Sequence, residues 1–145
     1  MKLSMAQIHI GPDMPANEAK TLEFCDRATD SDLLFFPEVQ YAPFFPQYPK
    51  HNVDPYVLTP KSPEVRRLQE KALEHGYYLS PNLFLQFPDE KRYDSSLWIN
   101  PKGELVDIAT MVHIFNAPNS MKQITIRPLR MGSKSSKLPL AKSAL

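Results

Sequence analysis

Cysteine is almost missing from this chain of 145 residues: Cys25 is the only one. A single thiol cannot build an internal disulfide framework or a cysteine-based zinc cluster. The four histidines, His9, His51, His75 and His113, are too scattered for metal-ligand spacing, so neither a metal nor a cofactor is expected. No apolar run reaches the ~18 residues that a membrane span needs, and the opening MKLSMAQIHIG is too short and too alternating for a signal peptide. A soluble, cytoplasmic chain with no membrane partner is the expectation. Glycine is scarce, four residues against fifteen prolines. Many of those prolines fall between Pro37 and Pro63, which predicts a long ordered loop or linker there, not a helix. Acidic side chains are lacking from residues 120–145, which carry Lys122, Arg127, Arg130, Lys134, Lys137 and Lys142. Residues 1–119 then hold eleven basic against 16 acidic groups, a net charge of −5 concealed by the overall +1. What is present is an acidic body, 42% apolar, of single-domain length and able to bury about two-thirds of its unfolded surface.

The patterning of that body is layered. Leu3 to Ile10 alternates, with Ala6, Ile8 and Ile10 on one face and Leu3, Met5 and Gln7 on the other, and Gly11-Pro12-Asp13 stops it. This predicts a strand buried on at least one side. Asn17 can cap a helix from Glu18 to about Thr29 whose inner stripe contains Leu22 and Cys25, making Cys25 a small core residue before it is a nucleophile. Asp32 to Phe36 is continuously apolar after its first residue, as in a central strand covered on both faces. Ser62-Pro63-Glu64 reads as a helix start, Val65, Leu68, Ala72 and Leu73 as its buried stripe, and His75-Gly76 as its end. Tyr77 to Phe87 reads as strand interrupted by Ser80-Pro81-Asn82. Ser95 to Ile99 and Glu104 to Ile114 flank the turn sequence Asn100-Pro101-Lys102-Gly103, a hairpin. The order β, α, β, long loop, α, β, hairpin implies a layered α/β domain.

One acidic group stands in a provocative place. Glu38, in "LLFFPEVQY", follows directly on the central strand, and the carboxyl ends of such strands are where open α/β sheets hold their sites. Against Phe35, Phe36 and Val39 its carboxylate is expected to be partly desolvated, which would raise its pKa toward that of a useful general base. The competing reading is a loop carboxylate satisfied by backbone donors.

The segments "MAQIHIGP", "LLFFPEVQY", "SPEVRRLQEKALEHGYYLSPN" and "YDSSLWINPKGELVDIATMVHI", in this order, resemble the N-terminal half of the nitrilase, or carbon-nitrogen hydrolase, superfamily. The resemblance runs from Leu3 to about Asn119. It implies a partial α-β-β-α sandwich, incomplete at the C-terminus, and a small amide, nitrile or carbamoyl compound as substrate, with homo-oligomers common in the intact family. It also implies a Glu base, a Lys that stabilises the tetrahedral intermediate and a Cys nucleophile. Glu38 falls on the Glu position, and Tyr41 is a weaker candidate for lining the substrate pocket. The lysine position is occupied by Thr110, which brings no charge. The family cysteine, which follows a later strand, has no counterpart, and Cys25 lies on the first helix of the pattern. The chain itself is therefore expected to be inactive. The alternative is a non-catalytic binding or oligomerisation module that pairs with an intact paralogue.

After Asn119 the text departs from the family. Shifting the reading frame by one base, from the last T of the Asn119 codon, permits FYEADYYTPSADGFKVFKTPLGKIGV, the kind of sequence a family member continues with. Residues 120–145 are on this reading an out-of-frame basic tail, expected to be poorly ordered. Resequencing the Asn119–Ser120 codons checks it, since an additional T would restore the frame. Basic charge alone, without interleaved aromatics, does not make the tail a nucleic-acid partner.

Overall fold

The computed structural model describes residues 1–45 and 52–111, with the backbone of two short strands at 116–117 and 120–121. His51, His113, the expected last residues of the hairpin and residues 122–145 lie outside the described residues, and the expected character of the tail falls there with them.

A mixed sheet forms the centre. β1 (Leu3–Met5), β2 (Leu33–Phe35) and β3 (Tyr78–Ser80) run parallel, in the register Leu3, Leu33, Tyr78. β3 and β4 (Asn82–Gln86) are two halves of one strand broken at Pro81. Both pair antiparallel with β5 (Arg92–Ile99) in one continuous register, Leu79 opposite Ile99 and Asn82 opposite Ser96. Proline has no N–H to give the ladder, but its carbonyl still accepts from Leu97 N–H at 2.9 Å. β6 (Leu105–Thr110) folds back along the other edge of β5, with a register shift at Trp98/Ile99. The turn between them is the one the sequence announces. Gly103 takes φ +74°, and the Asn100 side-chain carbonyl accepts from the N–H groups of Lys102 and Glu104. The backbone of β7 (Asn116–Ala117) pairs antiparallel with β8 (Ser120–Met121).

Two helices cover one face of the sheet. α2 (Pro63–His75) starts and stops as its sequence requires, with Ser62 extended at its N-cap and Gly76 left-handed at its C-cap. α1 (Met14–Arg27) begins a turn before the expected position, because Pro15 in its first turn is already compatible with helix. Asn17 is therefore not the cap but a fully buried residue within the helix. Leu73, expected in the buried stripe, is 60% exposed. It lies one helical step beyond Ala72 and is turned toward the hairpin, where a β-carbon on Gly103 would come within 3.1 Å of it.

The main core lies between the helices and the sheet. Cys25, Val65, Leu68 and Ala72 from the helices meet Leu34, Leu79, Leu83, Leu85, Leu97 and Ile99 from the strands. Tyr77 is buried with them, and its hydroxyl donates to the Cys25 carbonyl at 2.9 Å. The strand alternation puts Phe35, Tyr78 and Trp98 on the opposite face, where Trp98 contacts both other rings. A second cluster on that side packs Val39, Ala42 and Phe45 onto Phe84. The helices are tied to one another by Arg67, which donates to both oxygens of Glu18 at 2.7 and 2.9 Å. No described helix is long and apolar enough to cross a membrane.

Candidate active site

β2 leaves the sheet at Phe36, whose N–H still donates to the Ser80 carbonyl at 3.2 Å. Pro37 follows, and residues 38–41 turn beside the point where Pro81 breaks the neighbouring strand. Side-chain amides here replace the missing ladder. Asn82 Oδ1 accepts from Val39 N–H at 2.6 Å, and Gln40 Oε1 accepts from Asn82 N–H at 2.9 Å. Between them Gln40 N–H donates to the Asn82 carbonyl at 3.1 Å. Two further buried helix residues anchor the same turn. Asn17 donates to the Tyr41 carbonyl and to the Gly11 carbonyl, while accepting from Gly11 N–H. Thr21 Oγ1 accepts from Gln40 Nε2 at 3.5 Å.

This bracing holds Val39 at φ +51°. A left-handed backbone costs a β-branched residue about 1–2 kcal/mol. Val39 is only 1% exposed, and its burial is worth roughly 2 kcal/mol, to which the hydrogen bonds around it add about 1 kcal/mol each. Packing and pairing therefore outweigh the strain, and the unusual conformation persists beside Glu38. Such strain characteristically collects at functional sites.

Glu38 itself is exposed at the start of the turn. The partial desolvation expected against Phe35, Phe36 and Val39 is not observed: Val39 turns inward onto Phe84, and Glu38 is left on the outer side. Tyr41 is 2% exposed and belongs to the main core, so it does not line an open pocket among the described residues. Its hydroxyl is buried without a hydrogen-bond partner, and burial, aided by the nearby Glu18 charge, pushes its pKa up. Cys25 is fully buried, and burial pushes its thiol up to about 12, as suits a core residue and not a nucleophile.

Thr110 ends β6 opposite Ser95. That register puts it on the helix-covered face with Ile108 and Leu97, whereas Asn82, Phe84 and Ser96 occupy the other face. Thr110 instead borders a cavity of about 330 Å³ with Phe87, Pro88, Asp89 and Tyr93. Met111 continues the register, donating its N–H to the Asp94 carbonyl at 2.9 Å, and so returns to the face of Asn82. The Glu38 turn and the end of β6 lie at one level of the sheet, three strand spacings or about 14 Å apart. They share an end of the sheet without being in contact through Thr110.

Asp26, Glu74 and His75 bring ligand atoms within 4.8 Å of one another at the outer ends of α1 and α2. Lys71 Nζ already sits 2.6 Å from Asp26 and 2.8 Å from Glu74. Its ammonium holds the Asp26 carboxyl below its usual range, with His75 adding to the effect. The cluster reads as an ion-pair network between helices.

A family model described as carbon-nitrogen hydrolase matches residues 2–144. The chain belongs to the carbon-nitrogen hydrolase family. Its fold agrees with solved relatives. A carbon-nitrogen hydrolase from Helicobacter pylori G27 superposes with a TM-score of 0.79 at 13% identity, over 91% of this chain and 46% of that one. Saccharomyces cerevisiae Nit3, a member of branch 10 of the nitrilase superfamily, gives 0.70 at 25% identity, over 94% and 50%. An N-terminal amidase gives 0.70 at 18%, over 80% and 29%. No curated protein matches the chain. This hydrolase-family chain thus spans half or less of the length of these relatives, and the matched span includes most of the stretch after Asn119. Its mixed α/β architecture is that of the nitrilase fold.

Within this family member, Gln40, Asn82 and Asn17 are the residues that sequence reasoning missed. The signal for Asn82 was present, since Ser80-Pro81-Asn82 interrupts a strand and needs a structural reason. Nothing in the local sequence announces that Gln40 answers it from 42 positions away.

Proposed function

We propose that this chain carries the general-base portion of a carbon-nitrogen hydrolase site, with Glu38 as the base, for cleavage of a non-peptide C–N bond in a small amide, nitrile or carbamoyl compound. The observation that supports this reading is the strained, hydrogen-bonded turn that delivers an exposed Glu38 at the carboxyl end of β2. In a complete site of this kind the carboxylate takes the proton of a cysteine thiol, the thiolate attacks the substrate carbon, and a lysine ammonium offsets the charge that develops on the oxygen or nitrogen. Collapse of the tetrahedral intermediate of an amide or carbamoyl compound breaks its C–N bond, the amine or ammonia leaving with the proton taken from the thiol, and water then hydrolyses the resulting thioester. A nitrile first gives a thioimidate, which water converts to the thioester with loss of ammonia. Residues 1–145 supply the first of these groups alone. The single thiol is locked in the core, and neither Thr110 nor Met111 carries a charge. These residues by themselves complete no catalytic cycle.

Ammonia release from a panel of small amides, nitriles and carbamoyl compounds tests the reading, with Glu38→Gln run in parallel. The expected result is no turnover by either protein. Turnover abolished by Glu38→Gln would overturn the inactivity while supporting the base, and turnover indifferent to that substitution would overturn both.

A further inference from the structure

We propose that Asn82 is a positioning residue for Glu38. The inference rests on the reading of Glu38 as a general base and deepens it. β2 cannot continue alongside β4, because the chain must leave the sheet to present Glu38, so the inner strand loses its parallel partner where Pro81 has already removed one N–H. Asn82 resolves both problems with one side chain. Its Oδ1 takes the Val39 N–H at 2.6 Å, and its Nδ2 donates to Ser96 Oγ at 3.0 Å on the adjacent strand. The carboxylate-bearing turn is thereby referenced to β5 across the sheet, not merely to its own strand. Gln40, fully buried, closes the reciprocal half of the clamp on the Asn82 backbone. Val39, adjacent to Glu38 and held left-handed at φ +51°, transmits the constraint. An unconstrained Val39 relaxes to negative φ, which swings the peptide that joins it to Glu38.

The test is NMR on the isotopically labelled full chain, and it needs no turnover. Asn82→Ala is expected to speed amide exchange at Val39 and Gln40 at least tenfold and to shift the backbone and side-chain carbon signals of Glu38, while Leu68 and Leu97 keep their protection. Asn82→Asp, which retains an acceptor for Val39 N–H and can accept from Ser96 Oγ–H, is expected to restore both readouts. Unchanged Val39 protection in Asn82→Ala refutes the clamp. Faster exchange with unmoved Glu38 signals leaves Asn82 a structural residue and overturns the positioning role. Should Asn82→Ala lose the core protection as well, Asn82→Asp decides the matter, and its failure to hold the Glu38 signals with Val39 protected also overturns the proposal. Ammonia release that survives Glu38→Gln overturns the base reading without touching these NMR readouts, so failure of that reading and failure of the clamp are distinguishable.

Discussion

At the scale of the residue, the chemistry of this chain is decided by where burial falls. Cys25, expected from the sequence to be a core residue, is inert in the fold, because burial, with the Asp26 charge adding to it, raises its pKa from 9.0 to about 12. Tyr77, which hydrogen-bonds beside it, opposes that shift without cancelling it. The consequence for stability has a definite sign. Below pH 9 folded and unfolded chains both keep the thiol proton. Between pH 9 and about 12 only the unfolded chain releases it, so stability falls as pH rises, by up to ~1.4 kcal/mol per pH unit from this one group. Tyr41 and Tyr77, both raised from 10.0, add to the loss at higher pH. Urea midpoints measured from pH 8 to 10.5 should show the decline beginning near pH 9 in the parent and near pH 10 in Cys25→Ala. An onset that does not move would mean the thiol ionises in the folded chain. Val39 poses the opposite balance. Val39→Gly relieves about 1–2 kcal/mol of left-handed strain but forfeits the burial of a side chain only 1% exposed, and a cavity term is added to that loss. A net destabilisation of about 1 kcal/mol is expected in the urea midpoint, and a stabilised variant would show that strain dominates the site.

At the scale of the element, two glycines with nearly the same backbone angle separate strain from space. Gly76 ends α2 at φ +70° and a β-carbon there would meet nothing within 4 Å, whereas Gly103 turns the hairpin at φ +74° with the Gln69 carbonyl oxygen only 2.7 Å from the same added atom. Gly76→Ala therefore carries the backbone penalty alone, about 1 kcal/mol. Gly103→Ala must also push the hairpin off α2 and disturb the 2.8 Å bond from Gln69 Nε2 to the Gly103 carbonyl, and its cost is expected to reach about 3 kcal/mol. Thermal melts of the two variants rank them, and equal losses would show that the turn is free to lift. Both glycines were legible as an end and a turn, because each closes a local pattern. So were the helix start at Ser62-Pro63, the burial of Cys25 and the inward side of Ala6 and Ile8. What was not legible depended on distance along the chain. Asn17 is claimed by Gly11 and Tyr41 before it can cap. The same holds for the site: "FPE" reads at once as a strand end bearing a carboxylate, but nothing local announces the inward turn of Val39 or its bond to Asn82 from 43 positions away.

At the scale of the whole molecule, the sheet is finished unevenly. Its helix-covered face carries one continuous apolar cluster, whereas among the described residues β1 pairs with β2 alone and turns Met5, 78% exposed, and Leu3, 49% exposed, away from the helices. An edge strand with unpaired backbone groups and apolar side chains is a template for another chain. Native edges commonly blunt this with a charge directed along the strand; here Lys2 lies just outside β1, and its ammonium is engaged by Asp30. Concentration-dependent self-association of the purified chain follows, readable as a rising weight-average mass in sedimentation. Met5→Lys places a charge on the exposed face without touching the core, so it should lower that mass at fixed concentration and leave the melting temperature within a degree or two, the usual effect of a surface substitution. Association that survives Met5→Lys undiminished would place the contact elsewhere, with the outer surfaces of α1 and α2 next to be substituted.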